Sequence, residues 1–131
     1  MTYIRIGLIF FFVGSAFWMN AQPLKEIPLR FKLEAADSAY YKNDYYNALE
    51  WYNEVYREDR QNIYLSRIAE LYFKVRDYKR AERWLHRLID RDPQMEYPDA
   101  RIHYAHVLKM NGKYALSALH LPDIMRRSQS D

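Results

Sequence analysis

The sequence predicts an all-α protein, a superhelix of about three helix-turn-helix units, and three observations carry that expectation. The segment from Ala35 to Asp59 matches the segment from Ile68 to Pro93 at a constant offset of 33. Asp44-Tyr45 falls on Asp77-Tyr78, Ala48 on Ala81, Trp51 on Trp84, Tyr52 on Leu85, Val55 on Leu88 and Asp59 on Asp92. Self-similarity at such a period is the mark of stacked supersecondary units. Apolar residues also recur at helical spacing, as in Leu65, Ile68, Ala69, Tyr72 and Phe73 and again in Ala81, Trp84, Leu85, Leu88 and Ile89, which gives each helix one apolar face. No stretch alternates with period two, so no strand is expected.

Composition agrees. A chain of 131 residues that is 50% hydrophobic, with 3 Gly and 5 Pro, fits one compact domain and excludes a disordered or collagen-like chain. The absence of cysteine excludes a disulfide scaffold, a thiolate zinc site and a thiol nucleophile. A formal net charge of +3 exerts no bulk pull on nucleic acid. Aromatic residues stand out at 17%, and a packed array of small helices needs such bulky side chains.

Taken from the N-terminus, residues 1–21 read as a signal peptide. Arg5 precedes an apolar run from Ile6 to Met19, and Asn20-Ala21-Gln22 supplies a short polar and small segment, which places cleavage after Ala21. The alternative is an uncleaved anchor over Ile6 to Met19, although fourteen residues fall short of the ~20 that cross a bilayer. Residues 22–30, punctuated by Pro23 and Pro28, form an extended leader, and residues 31–127 form the repeat domain. Unit one takes Ala36, Ala39 and Tyr40, a turn at Lys42-Asn43-Asp44-Tyr45, then Ala48, Trp51, Tyr52 and Val55. Unit two turns at Val75-Arg76-Asp77-Tyr78 and stops at Pro93. Unit three is looser: Ala105, a turn at Asn111-Gly112-Lys113-Tyr114 that tolerates positive φ, then Ser117 where the earlier units have alanine. Pro122 is expected to break or restart the last helix, leaving Asp123 to Arg127 as a final turn or cap, with residues 128–131 as a tail.

Small residues at Ala69, Ala81 and Ala105 let two helices cross closely. Tyr45, Tyr78 and Tyr114, just after each turn, offer large area for packing on a neighbouring unit. Of the pairs Tyr40-Tyr41 and Tyr45-Tyr46, one member each must face a surface. With its small residue in the first helix, Asp-Tyr at the turn, Ala on the second helix and terminal Pro, the pattern resembles the tetratricopeptide repeat (TPR) from Phe31 to about Arg127. The N-terminal pattern looks like that of exported Bacteroidetes proteins. The chain likewise resembles the TPR region that heads envelope proteins of that group, some OmpA-like and some associated with type IX secretion.

The resemblance implies a concave groove lined by the first helix of each unit, receiving a peptide or helix from another protein. Carried over by phase, that groove displays Leu33, Asp37, Tyr40 and Tyr41 from unit one, Ser66, Glu70, Phe73 and Lys74 from unit two, and Ile102, His106, Lys109 and Met110 from unit three. The family's groove for a chaperone's terminal carboxylate needs Lys and Asn at particular phases. Leu33, Asp37 and Glu70 stand there instead, which disfavours that ligand. A mixed groove of this kind suits an amphipathic segment.

Enzyme signatures are missing: there is no phosphate-binding glycine loop, no Gly-x-Ser-x-Gly and no His-Glu-x-x-His. The expectation is a non-enzymatic scaffold without cofactor or nucleic-acid partner, exported to the periplasm or cell envelope. A metal-binding alternative rests on Asp99, His103 and His106, spaced i, i+4, i+7, with His120 as a further ligand if the last helix folds back. Arg80, Arg83, Arg87 and Arg91 share one helical face. That stripe is either a solvated outer surface or a contact with an acidic partner or anionic headgroups.

Overall fold

A computed structural model describes the backbone of residues 27–127 and the side chains of residues 27–120. The expected signal peptide, its anchor alternative and most of the extended leader lie outside the described residues. Six helices follow one another: α1 (Leu29–Tyr41), α2 (Tyr45–Glu58), α3 (Asn62–Lys74), α4 (Tyr78–Asp90), α5 (Pro98–Met110) and α6 (Tyr114–Arg127). They pair as three hairpins, α1 with α2, α3 with α4 and α5 with α6, and α2 packs on α3 as α4 packs on α5. No strand occurs among the described residues. The first helix begins at Leu29, two residues before the expected start of the repeat domain.

The same turn closes all three hairpins. Asn43, Arg76 and Gly112 take left-handed φ of 60°, 59° and 77°. In each case two backbone bonds cap the preceding helix. Asp44 N–H reaches the Ala39 carbonyl (2.9 Å) and Asn43 N–H reaches Tyr40. Asp77 N–H reaches Tyr72 (3.0 Å) and Arg76 N–H reaches Phe73; Lys113 N–H reaches Leu108 (2.8 Å) and Gly112 N–H reaches Lys109. This pattern satisfies the carbonyls that a helix end leaves without partners. Only Gly112 adopts it without steric strain. The following helix starts differently in unit three. Asp44 and Asp77 accept from the backbone N–H of Asn47 and Arg80 and so cap α2 and α4, whereas Lys113 stands at the corresponding position. There Glu82 of α4 holds the turn instead, accepting from Asn111 Nδ2 (2.7 Å) and pairing with the Lys113 ammonium. Burial alone would raise the Glu82 carboxyl, but hydrogen bonds from Lys113 and Asn111 outweigh it and hold the group below its ordinary value.

Close approach within each hairpin is set by small residues facing one another. Ala36 and Ala48 are fully buried in the first, and Ala69 and Ala81 in the second, so Ala48 and Ala81 occupy equivalent places. In the third, Ala105 meets Ser117, whose hydroxyl donates to the Ala105 carbonyl at 2.7 Å; the hydrogen bond offsets the cost of burying that hydroxyl. Around these crossings Tyr52, Leu65, Ile68, Leu71, Leu85, Leu88 and Leu108 fill one continuous core. Trp84 lies edge-on to Tyr56 (5.5 Å) and stacked on Tyr72 (6.3 Å), joining the first two hairpins.

Connections between hairpins differ. Three residues, 59–61, join α2 to α3, whereas seven, 91–97, join α4 to α5. The longer one is organised by Asp92, buried at 4% exposure, whose carboxylate accepts from the N–H groups of Glu96 (2.8 Å) and Tyr97 (3.0 Å). Pro93 lies two residues beyond the C-cap of α4 and Pro98 opens α5, where a missing N–H costs no hydrogen bond.

Two expectations at the C-terminal end are corrected. Helix α6 runs through Pro122 to Arg127, so Pro122 neither breaks nor restarts it and Asp123 to Arg127 are part of the helix. Proline removes one donor and leaves the neighbouring helical bonds in place, which a helix can survive as a kink. Tyr114 does not pack on a neighbouring unit; it is 67% exposed because no described helix follows α6.

Candidate partner-binding groove

The candidate groove residues lie on α1, α3 and α5, the first helix of each hairpin. Helices α3 and α5 touch directly, but no Cα of α1 comes within 8 Å of one in α3. Long polar side chains close that gap. The Tyr40 hydroxyl donates to Glu70 Oε1 at 2.6 Å, and the Arg67 guanidinium reaches Glu70 Oε2 at 3.2 Å. Arg67 also lies over the Tyr40 ring at 4.8 Å. Lys74 completes the cluster, 3.5 Å from Glu70 and over the Tyr45 ring at 5.6 Å. Burial, then the bond to Glu70, pushes the Tyr40 phenol up to about 12, so it remains a donor at physiological pH. Asp37 and Tyr52 form a similar pair, with the Tyr52 hydroxyl donating to the Asp37 carboxylate; burial first and that bond second raise the phenol.

An aromatic patch adjoins this polar one. Phe73 stacks on His103 at 4.4 Å and meets the His106 ring edge-on at 5.3 Å, with Tyr78 6.2 Å from Phe73. Burial holds the His103 imidazole below its ordinary pKa, which favours the neutral ring in the stack. Ile102 and Met110 stand exposed on the same helix, at 47% and 51%. Where the long connection meets α3 and α5, a cavity of about 420 Å³ opens, with Leu85 and Leu88 among its lining residues and Ser66, Arg67, Glu70, Asp99 and His103 at its sides.

Glu70, Phe73 and Lys74 meet Tyr40 and His106 in these two adjacent patches, and Ser66 lines the cavity. Tyr41 is 76% exposed beside Tyr40, and Tyr46 is 72% exposed, so each tyrosine pair does place one ring at the surface. Lys109 is exposed. Leu33 is half-buried against the core, and Asp37 is occupied by Tyr52. Arg67 was not predicted. Its i,i+3 pairing with Glu70 was readable from spacing, but its reach to Tyr40 depends on how far apart the two hairpins stand.

The metal alternative does not assemble. Among the described residues no group of three His, Cys, Asp or Glu side chains is placed to hold an ion. His103 and His106 turn onto Phe73, and His120 packs edge-on against Tyr104 at 5.0 Å. The basic stripe is shorter than expected. Arg80, Arg83 and Arg87 are exposed on α4, with Arg80 paired to Asp77 and Arg87 over the Trp84 ring. Arg91 leaves that face because it is the C-cap of α4, and its guanidinium instead donates to the Tyr56 hydroxyl and the Arg60 carbonyl, both at 2.8 Å.

No family model and no curated protein matches the sequence. Among solved structures, that of yeast Tom70, a TPR-repeat protein, is similar with a TM-score of 0.65 at 17% identity, over 73% of this chain. The architecture is TPR-like. The match covers 20% of the Tom70 chain, so this protein corresponds to a fifth of that one and the likeness concerns the fold.

Proposed function

We propose that this TPR-like protein is an exported, non-enzymatic adaptor of the bacterial cell envelope whose groove receives an amphipathic segment of a partner protein. The observation that carries the reading is the juxtaposition of two unlike patches on α1, α3 and α5. The Tyr40–Glu70–Arg67–Lys74 cluster offers charge and hydrogen bonds. Beside it, Phe73, His103 and His106 with exposed Ile102 and Met110 offer apolar area. A segment with one apolar and one polar side satisfies both at once. Assembly with a secretion or peptidoglycan-associated complex belongs to the same proposal and is supported by the sequence resemblance.

Ile102→Glu combined with Met110→Glu tests the groove, because both side chains are exposed and neither supports the core. The variant is expected to lose a partner that the parent protein captures from envelope extracts, identified by mass spectrometry, while its helicity is unchanged. Undiminished capture refutes the groove. Export is supported by residues 1–21, and an intact mass that starts at Gln22 is the expected result. A mass that retains Met1 replaces export and release with the anchored alternative. Among the described residues no helix is long and apolar enough to cross a membrane.

A further inference from the structure

The repeat builds the same cleft twice, and the two copies differ in charge. Between α2 and the turn of the second hairpin lies a cleft of about 240 Å³, walled by Tyr46 and Glu50 on one side and Val75 and Asp77 on the other. Between α4 and the turn of the third hairpin the cleft is about 840 Å³, walled by Lys79 and Arg83 and by Asn111 and Lys113. The turn residues Asn43, Arg76 and Gly112 set the register between hairpins. In that register Lys79 stands where Tyr46 does, Arg83 where Glu50 does and Lys113 where Asp77 does. Arg80 lines both clefts. Four cations, Lys79, Arg80, Arg83 and Lys113, thus face two carboxylates, Asp77 and Glu82, in the larger one. Both carboxylates are engaged: Asp77 caps α4 and pairs with Arg80 at 3.3 Å, and Glu82 holds Asn111 and Lys113. Lys79 and Arg83 are exposed and have no carboxylate partner among the described residues. Like charges at their i,i+4 spacing destabilise a helix. The smaller cleft shows that solvation of the face does not require them, since tyrosine and glutamate serve at the equivalent positions.

We propose that the larger cleft docks an acidic segment of a partner protein, on a surface other than the α1, α3 and α5 groove and whatever that groove binds. The unpaired charge selects an anionic occupant, because a partner's carboxylates there relieve the repulsion between Lys79 and Arg83. The shape selects a chain over a bilayer. Cations stand on two elements that face each other, α4 and the third turn, so a carboxylate-bearing chain lying between them meets both walls. A planar layer of headgroups meets only the rims. Sequence spacing showed one wall of this site, the arginine stripe of α4; Lys113 joins it from the next hairpin. Met110, at the end of α5, borders both surfaces, and the variants that separate them leave it unchanged.

Fluorescence anisotropy of labelled decaglutamate, titrated with the full chain, tests this. Binding is expected, and it weakens as salt rises. Lys79→Glu with Arg83→Glu is expected to weaken it by at least about tenfold, with an unchanged circular-dichroism spectrum because both side chains are exposed. Lys79→Arg with Arg83→Lys keeps both charges and is expected to bind as the parent does. Two controls are expected to do the same: Arg30→Glu with Lys42→Glu, which makes an equal change of net charge on the first hairpin, and Ile102→Glu in the groove. No binding of the peptide, undiminished binding by the cleft variant, or an equal loss in the first-hairpin control each overturns the proposal. In the first two cases, cosedimentation with phosphatidylglycerol vesicles that the cleft variant loses reassigns these cations to a membrane surface.

Discussion

The second hairpin and the third share one turn geometry and one kind of helix crossing, yet they stand in opposite situations. The second is covered on both sides: α2 packs on α3 and α5 packs on α4. The third is covered on one side by α4, and its last helix leaves Tyr114, Leu116 and Leu119 in solvent. The difference teaches that equivalent sequence positions in a repeat carry unequal energetic weight, because stability in such arrays comes from interfaces with neighbours as well as from each unit.

Leucine truncation gives the largest measure of that inequality. Leu71→Ala in α3, where the side chain is fully buried, is expected to cost about 2–5 kcal/mol in chemical denaturation. Leu119→Ala, at 70% exposure, is expected to stay within ~0.5 kcal/mol for the isolated chain. Equal losses would break the comparison.

A smaller contrast lies in the connections. Asp92 and Asp59 align in sequence, but Asp92 is buried and holds two backbone N–H groups, whereas the Asp59 carboxylate accepts from the Gln61 side chain. Asp92→Ala is expected to lower stability by about 1.5–3 kcal/mol, since its bonds are to an ionised acceptor, and Asp59→Ala by less than about 1 kcal/mol. Amide exchange at Glu96 and Tyr97 would rise only in the first variant.

Turn residues should give the smallest shift, with opposite signs. Arg76 pays the left-handed cost that Gly112 avoids. Arg76→Gly is expected to stabilise by up to ~1 kcal/mol, and Gly112→Ala to destabilise by about the same amount although nothing lies within 4 Å of the added methyl. Thermal midpoints that move together would mean the three turns are not equivalent.

The hairpins were legible because their determinants are local: apolar spacing, Asp before the second helix, and small residues at the crossings all lie within one unit. Tyr114 and Pro122 were misjudged for the same reason. What Tyr114 packs on depends on whether another unit follows, and whether Pro122 stops a helix depends on surroundings that the period does not encode. Among the candidate groove residues, phase alone put Glu70, Phe73 and Lys74 together on α3. It could not find Arg67 over Tyr40 or His103 on Phe73, because both contacts cross between hairpins and depend on the angle at which those hairpins stack. The two aspartates at 59 and 92 show how far alignment reaches: one period, one residue type, and two unrelated sets of hydrogen bonds.

The passage between α1 and α3 has a further consequence. Between the first helices of the hairpins, α3 and α5 approach closely, whereas α1 and α3 are bridged by the Glu70 carboxylate, held by a phenol and two cations. The first hairpin is nevertheless held to the second by α2 packing on α3 and by Tyr56 against Trp84. Losing the Glu70 bridge therefore loosens one seam of the array and leaves its spine intact.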